Sequence, residues 1–338
     1  MKIRYIIVLM LTFFLALGAC SQGGEEDGGG NSENGDSENT SEEESSSESV
    51  TIEDAVGETE LEETPEDIVV LEWVYAEDLL ALGVQPAGVA DVAGYEDWVN
   101  IEPELSEDVT DVGTRQEPSL EEIAKLEPDL IITAASRHGA ISDELNDIAP
   151  TLMFEPYPEE GEGDQYEEME TTFNEIAKAV DKEDEAETVL SDLDGAYEDI
   201  AAELEESDYN DTEIVLSQAF SANENAALRL FTDNSMVMQI LENIGLQNAY
   251  DGESFEVYGY TETSVEALEP YQDAEFMYIV QENDNVFENQ LADNSVWNGL
   301  NFVEEERTHA LPGDTWTFGG PLAAEVFARE AANSLSGE

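Results

Sequence analysis

The chain has 338 residues, with 83 Asp and Glu against ten Lys and Arg, a formal net charge of −73 at neutral pH. So acidic a balance excludes nucleic acid as a partner, because phosphate contacts need Lys and Arg in number. Hydrophobic residues make up 41%, which excludes a wholly disordered chain and suffices for the cores of two domains.

The acid excess is the surface expected of a protein working in concentrated salt, where the Debye length falls to about 3 Å at 1 M. At the N-terminus, Lys2 and Arg4 precede an apolar run from Ile6 to Leu17, broken only by Thr12. That run is shorter than the roughly 20 residues needed to cross a bilayer, and it suits the apolar region of a signal peptide. It ends in Leu17-Gly18-Ala19-Cys20, which resembles a bacterial lipobox. Residues 1–19 are therefore predicted to be a lipoprotein signal, with Cys20 as the lipidated residue. Cys20 is the only cysteine, so no internal disulfide forms. Residues 20–60, rich in Ser, Gly, Asn, Glu and Asp, read as a disordered acidic tether.

From residue 61 the pattern alternates. Asp67–Trp73 reads as a strand, with Trp73 and Tyr75 at its end. Ala76–Leu82 reads as a helix stopped by Gly83. Gly88–Asp91 is a second short strand. Ser119-Leu-Glu-Glu122 is a capping box opening a helix to Leu126, and Asp129–Thr133 is the next strand. Strands alternating with helices predict a parallel, doubly wound sheet. This N-terminal lobe is placed at 61–165. Residues 166–207 form a helical connector, in which Ala186, Val189, Leu190, Leu193, Tyr197, Ile200 and Leu204 recur at helical spacing over about 184–206.

The order recurs in a C-terminal lobe at 208–338. Thr212–Ser217 is a strand, Ser235–Ile244 a helix stopped by Gly245, Thr263–Leu268 a second capping box, and Ala274–Val280 a strand. The fold class is therefore α/β, with two Rossmann-like lobes joined by one long connecting α-helix.

A lipoprotein signal, twin α/β lobes and a long connecting helix resemble the substrate-binding proteins of iron–siderophore ABC importers, the class III periplasmic binding proteins of ferric citrate or hydroxamate type. DLLALGVQPAGVAD, VGTRQEPSLEEIAKLEPDLIITAASRH, LRLFTDNSMVMQILENIGL and GDTWTFGGPLAAEVF carry the likeness. It spans about 61–332. The resemblance implies a ligand cleft between the lobes and only small lobe motions on binding.

In doubly wound sheets ligands sit at the carboxyl ends of the strands. Arg137 and His138 follow such a strand, Arg115 lies in the loop before the capped helix, and Arg229 lies before the first helix of the second lobe. A guanidinium fork suits an oxygen-rich anion, and the family uses arginines in this way. Arg137, Arg229 and Arg115 are thus expected to hold an anionic or oxygen-rich ferric chelate. Trp316, which precedes a Gly-Gly-Pro turn, joins Trp73, Tyr75, Phe220, Tyr260 and His138 as expected ligand contacts. Each arginine has a competing reading as a partner of a nearby acid, and each aromatic as core. Glu121 and Glu266 match the family positions that dock on the permease, although Glu266 also reads as a helix cap.

The expected function is extracytoplasmic capture of a ferric siderophore and its delivery to an ABC permease. No catalysis, cofactor or direct metal ligand is expected, since the chelate holds the iron. The protein is placed at the outer face of the cytoplasmic membrane, lipid-anchored and monomeric. A cobalamin or haem carrier of the same fold is the alternative. A free Mn or Zn carrier conflicts with only two His in the chain. A lipid-anchored hydrolase lacks a Gly-x-Ser-x-Gly elbow and a His-Glu-x-x-His helix; a surface adhesin would not require twin lobes.

Overall fold

The structure, a computed structural model, describes residues 49–223, 225–252 and 254–337. The predicted signal peptide, Cys20 and the first part of the tether lie outside the described residues. The tether does not extend to residue 60 as expected. Strands β1 (Val50–Asp54) and β2 (Gly57–Leu61) form an antiparallel hairpin. The Asp54 carboxylate closes its two-residue turn by accepting from the N–H groups of Val56 (2.9 Å) and Gly57 (2.8 Å). Ile52 and Leu61 point into the first core. Acidic composition hid this short apolar alternation.

The first lobe is a five-stranded sheet. In chain order come β3 (Ile68–Val70), α1 (Trp73–Ala81), β4 (Gly88–Val89), α2 (Val92–Trp98), β5 (Thr110–Asp111), α3 (Leu120–Lys125), β6 (Leu130–Ala134), α4 (Ala135–His138), α5 (Ser142–Asn146) and β7 (Thr151–Phe154). The strands lie in the order β5-β4-β3-β6-β7, all parallel. Ile68 and Val70 face one core while Val69 and Leu71 face the other, so both faces are covered and the strand reads as an unbroken apolar run. The order reverses between β3 and β6, which opens a crevice at their carboxyl ends.

Local signals set the helix ends. Gly83, at φ +75°, follows α1. Its N–H donates to Leu80 O and that of Val84 to Leu79 O, the paired bonds of a Schellman stop. The helix itself starts at Trp73, so Trp73 and Tyr75 stand on its first turn and not on a strand as expected. Ser119 caps α3 by accepting from the N–H of Glu122 at 3.3 Å.

The connector is two helices, α6 (Gln165–Ala179) and α7 (Glu183–Glu206). The 24 residues of α7 make a rod about 36 Å long. Ala186 belongs to the first-lobe core, whereas Leu193, Tyr197, Ile200 and Leu204 belong to a second-lobe core. One apolar stripe is thus shared by both lobes. The last helix, α10 (Pro321–Ser336), spans the seam too: Ala323 packs with the first lobe, Phe327 and Leu335 with the second.

The second lobe contains β8 (Glu213–Ala222), β9 (Asn225–Phe231), α8 (Met236–Asn243), β10 (Gln247–Asn248), β11 (Tyr260–Thr263), β12 (Glu275–Ile279), α9 (Asn301–Glu304), β13 (Thr308–Leu311) and α10 (Pro321–Ser336). Its sheet runs β11-β9-β8-β12-β13, with β10 also on β8. Pairings of β8 with β10 and β12, and of β12 with β13, are parallel; those of β9 with β8 and β11 are antiparallel. The strand β9 was not expected, and it carries Arg229. The second capping box departs from its expected form as well. Ser264 is the cap, Val265–Tyr271 is a 3-10 helix containing Pro270, and Glu266 stands one position nearer the start than a capping box needs.

Candidate ligand-binding cleft

The crevice at the carboxyl ends of β3 and β6 is built around one acid. Glu72 stands two residues past β3, at the N-cap of α1, and is 4% exposed. Its Oε2 accepts from Arg115 Nε (3.0 Å) and Nη2 (2.6 Å), and its Oε1 pairs with Arg137 Nε. Arg115 arrives from the loop after β5 and Arg137 from α4 at the end of β6, so the strand order brings the three together. A buried carboxylate is tolerated here because two guanidinium groups oppose it.

Aromatic rings frame these charges. The Arg115 guanidinium lies 4.2 Å from the centre of the Trp73 ring and 6.0 Å from that of Trp316. The two indoles are 5.2 Å apart. Such stacking holds a planar cation against the ring faces. Trp73 Nε1 donates to Ala90 O at 3.1 Å, which fixes that ring. Two cavities meet at Arg115, Trp316 and Phe318. One, of about 290 Å³, is lined by Glu72, Tyr75, Arg137, Tyr157, Glu168 and Tyr258 among others. The second, of about 500 Å³, includes Trp73, Gln218, Phe220, Arg229 and Asp284. Arg229 lies between Phe220 and Tyr260, 4.8 and 4.6 Å from the ring centres, and its Nη1 donates to Gln218 Oε1 at 3.0 Å.

The loop carrying Trp316 and Phe318 is anchored from below. Glu77 and Asp78, both buried on α1, lie beneath Gly319, Gly320 and the first turn of α10. Glu77 Oε1 accepts from the N–H of Ala323 at 2.7 Å, one of the free donors of a helix start. Burial pushes the Glu77 carboxyl up to about 7, against the lowering effect of the backbone N–H groups it faces. Burial raises Asp78 well above its ordinary value too, with the Glu77 charge adding to it. A Cβ at Gly319 would stand 2.5 Å from both Glu77 Oε2 and Ala323 Cβ, so only glycine fits.

Of the expected contacts, Arg115, Arg137, Trp316, Trp73, Tyr75, Phe220 and Arg229 line the two cavities. Tyr260 stands behind Arg229. His138, expected to touch the ligand, does not face the cleft: it is 2% exposed, bonds Thr133 through Nδ1 and lines neither cavity. Burial lowers its pKa to about 4, so it stays neutral. Glu121 is exposed but pairs with Lys125 at 3.0 Å; Glu122 pairs with the same lysine and does not close the capping box. Glu266 is exposed and accepts from Ser264 Oγ at 2.6 Å. Sequence reading missed Glu72, Tyr157, Gln218, Tyr258 and Phe318. Only Phe318, two residues from Trp316 in TWTFGGP, carried a local signal. No group of three or more His, Cys, Asp or Glu among the described residues is placed to hold a metal ion.

The family model described as periplasmic binding protein matches residues 68–315. The chain belongs to the periplasmic binding protein family. This periplasmic binding protein is a substrate-binding protein and not an enzyme. It is 30% identical over 285 residues to the Fe(3+)-citrate-binding protein YfmC of Bacillus subtilis, covering 84% of this chain and 85% of that one. It is also 30% identical to the iron(3+)-hydroxamate-binding protein FhuD of Escherichia coli, covering 81% and 88%. Among solved structures, the Fe3+–Desferal-bound siderophore-binding protein FhuD from Vibrio cholerae superposes with a TM-score of 0.71 at 26% identity, over 80% of this chain and 98% of that one. The two lobes and the helices spanning them are thus a shared fold.

Proposed function

We propose that this periplasmic binding protein captures a ferric siderophore at the outer face of the cytoplasmic membrane and delivers it to an ABC import permease, with no catalytic step. One observation carries the reading. A chain with ten Lys and Arg in all puts three guanidinium groups and a set of aromatic rings on the cavities between its lobes. Arginine forks suit the oxygen donors around iron(III), and aromatic faces suit the apolar edges of a chelate. The names of its relatives supply ferric citrate and ferric hydroxamates as ligand chemistry.

Helices α6, α7 and α10 cross the seam, so capture involves small lobe motions rather than wide hinge closure. Lipid on Cys20 holds the protein, as a monomer, on the membrane. The exposed carboxylates Glu121 and Glu266, one per lobe, meet basic pockets on the permease. The acidic surface keeps the chain soluble in concentrated salt. The test is tryptophan quenching by a panel of ferric chelates, with haem and cobalamin as controls, since Trp73 and Trp316 line the cleft. Saturable quenching by a ferric chelate is expected. Quenching by haem or cobalamin alone would replace the siderophore with that ligand.

A further inference from the structure

The charge balance of the cleft bears on which ferric complex it takes, a question that rests on the function just proposed. Against the guanidinium groups of Arg115, Arg137 and Arg229 the two cavities set four carboxyl groups, of Glu72, Asp78, Glu168 and Asp284. The lining is therefore close to neutral and not an open basic basin.

Glu72 matters most. It engages Nε and Nη2 of Arg115 and Nε of Arg137, taking donors that an anionic ligand arm would seek. Displacing it would leave a buried carboxylate unpaired, which is strongly unfavourable. Keeping it there and adding anionic arms beside it brings like charges together in a low-dielectric site. Asp284 is held by the N–H of Ser221 at 2.8 Å and adds a further negative charge to the second cavity. Arg229 differs from the other two arginines. Among the described residues it forms no ion pair, its polar partner is the neutral Gln218, and its buried Nε has no hydrogen-bond partner. Glu262 stands opposite it across the β9–β11 register but is exposed and does not pair with it.

We infer that the cleft selects ferric chelates of low net charge, with trihydroxamate complexes as the class, over multiply anionic citrate and catecholate complexes. Each hydroxamate loses one proton on binding, so a trihydroxamate cancels the charge of iron(III). Each catecholate loses two, so a tricatecholate leaves a strongly anionic complex. Arg229 and Gln218 receive one oxygen-bearing edge of the uncharged complex, the indoles receive its apolar arms, and Glu72 keeps further anionic arms off Arg115 and Arg137.

The experiment is equilibrium quenching of the full chain by ferric Desferal acetylated at its free amine, which makes the complex uncharged, by ferric citrate in excess citrate, and by a ferric tricatecholate. It is run in about 1 M salt, so that long-range repulsion from the acidic surface is screened and local pairing is read. The unmodified protein is expected to bind the uncharged complex at least about tenfold more tightly than either anionic complex. In Glu72→Gln, with its fold checked by circular dichroism, the gap is expected to narrow by about tenfold, because the two arginines are freed. Anionic complexes bound by the unmodified protein as tightly as the uncharged one would overturn the selectivity while leaving the proposed function intact. That measurement does not depend on the variant folding. Quenching by none of the three would instead overturn the proposed function, and this inference with it.

Discussion

Protonation of Glu77 gives the protein a stability that depends on pH in an unusual direction. Its carboxyl rises from an ordinary 4.5 to about 7 in the folded state, chiefly through burial. Below 4.5 both folded and unfolded chains hold the proton, and Glu77 contributes no difference. Between 4.5 and 7 the unfolded chain releases it while the folded chain keeps it, so stability falls as pH rises. Above 7 the folded state carries a buried charge. The full loss is about 3 kcal/mol, from roughly 1.4 kcal/mol for each unit of displacement. Asp78 shifts in the same direction and adds to the slope. Glu77→Gln preserves the oxygen that accepts from the Ala323 N–H and removes the titration. Urea unfolding of both proteins, from about pH 5 to about pH 8 in constant high salt, reads the effect of Glu77 together with its coupling to Asp78, because titration of the remaining acids is common to the pair. The variant is expected to gain up to about 3 kcal/mol on the parent across that range. A difference that stays constant with pH would refute the reasoning.

Further outcomes follow from the same geometry. Arg229→Ala should weaken chelate binding by about 1.5–3 kcal/mol, the scale of a hydrogen bond to a charged group, read by tryptophan quenching; unchanged affinity would remove Arg229 from the site. Gly319→Ala forces a methyl group to within 2.5 Å of Ala323 Cβ and Glu77 Oε2. It should cost about 1–3 kcal/mol of stability and displace Trp316, measured by urea unfolding and by a shift in tryptophan emission. Affinity for ferric citrate should rise between about 0.1 and about 1 M salt as the Debye length shrinks from about 10 to about 3 Å. A steep fall over that range, in titrations at several salt concentrations, would contradict it.

Much of the fold was legible in the sequence because its signals are local. Apolar runs bounded by glycines, the Ser119 cap and the Ala186–Leu204 stripe each act over a few residues, and helix and strand periods leave a direct trace. What misled was also local. The acid-rich stretch before residue 61 hid a hairpin, and the LRLF run, which pairs as β9, was not assigned to any element. Topology went further than local signals, since the carboxyl end of a parallel strand marked Arg137 and Arg115 as facing a crevice.

The identity of their partner was beyond that reach. Glu72 lies 43 residues from Arg115, in a chain with 83 acids, and nothing in spacing singles it out. Only the strand order that sets β3 beside β6 makes it the shared counter-ion. The stacking of Arg229 between rings on neighbouring strands is decided in the same way, as is the burial of Glu77 and Asp78 under two glycines. The sequence by itself determined most helices and the parallel strands, but not the β1–β2 hairpin, β9 or the start of α1. Tertiary structure decided which charges meet, because pairing depends on distances in space that chain separation does not encode.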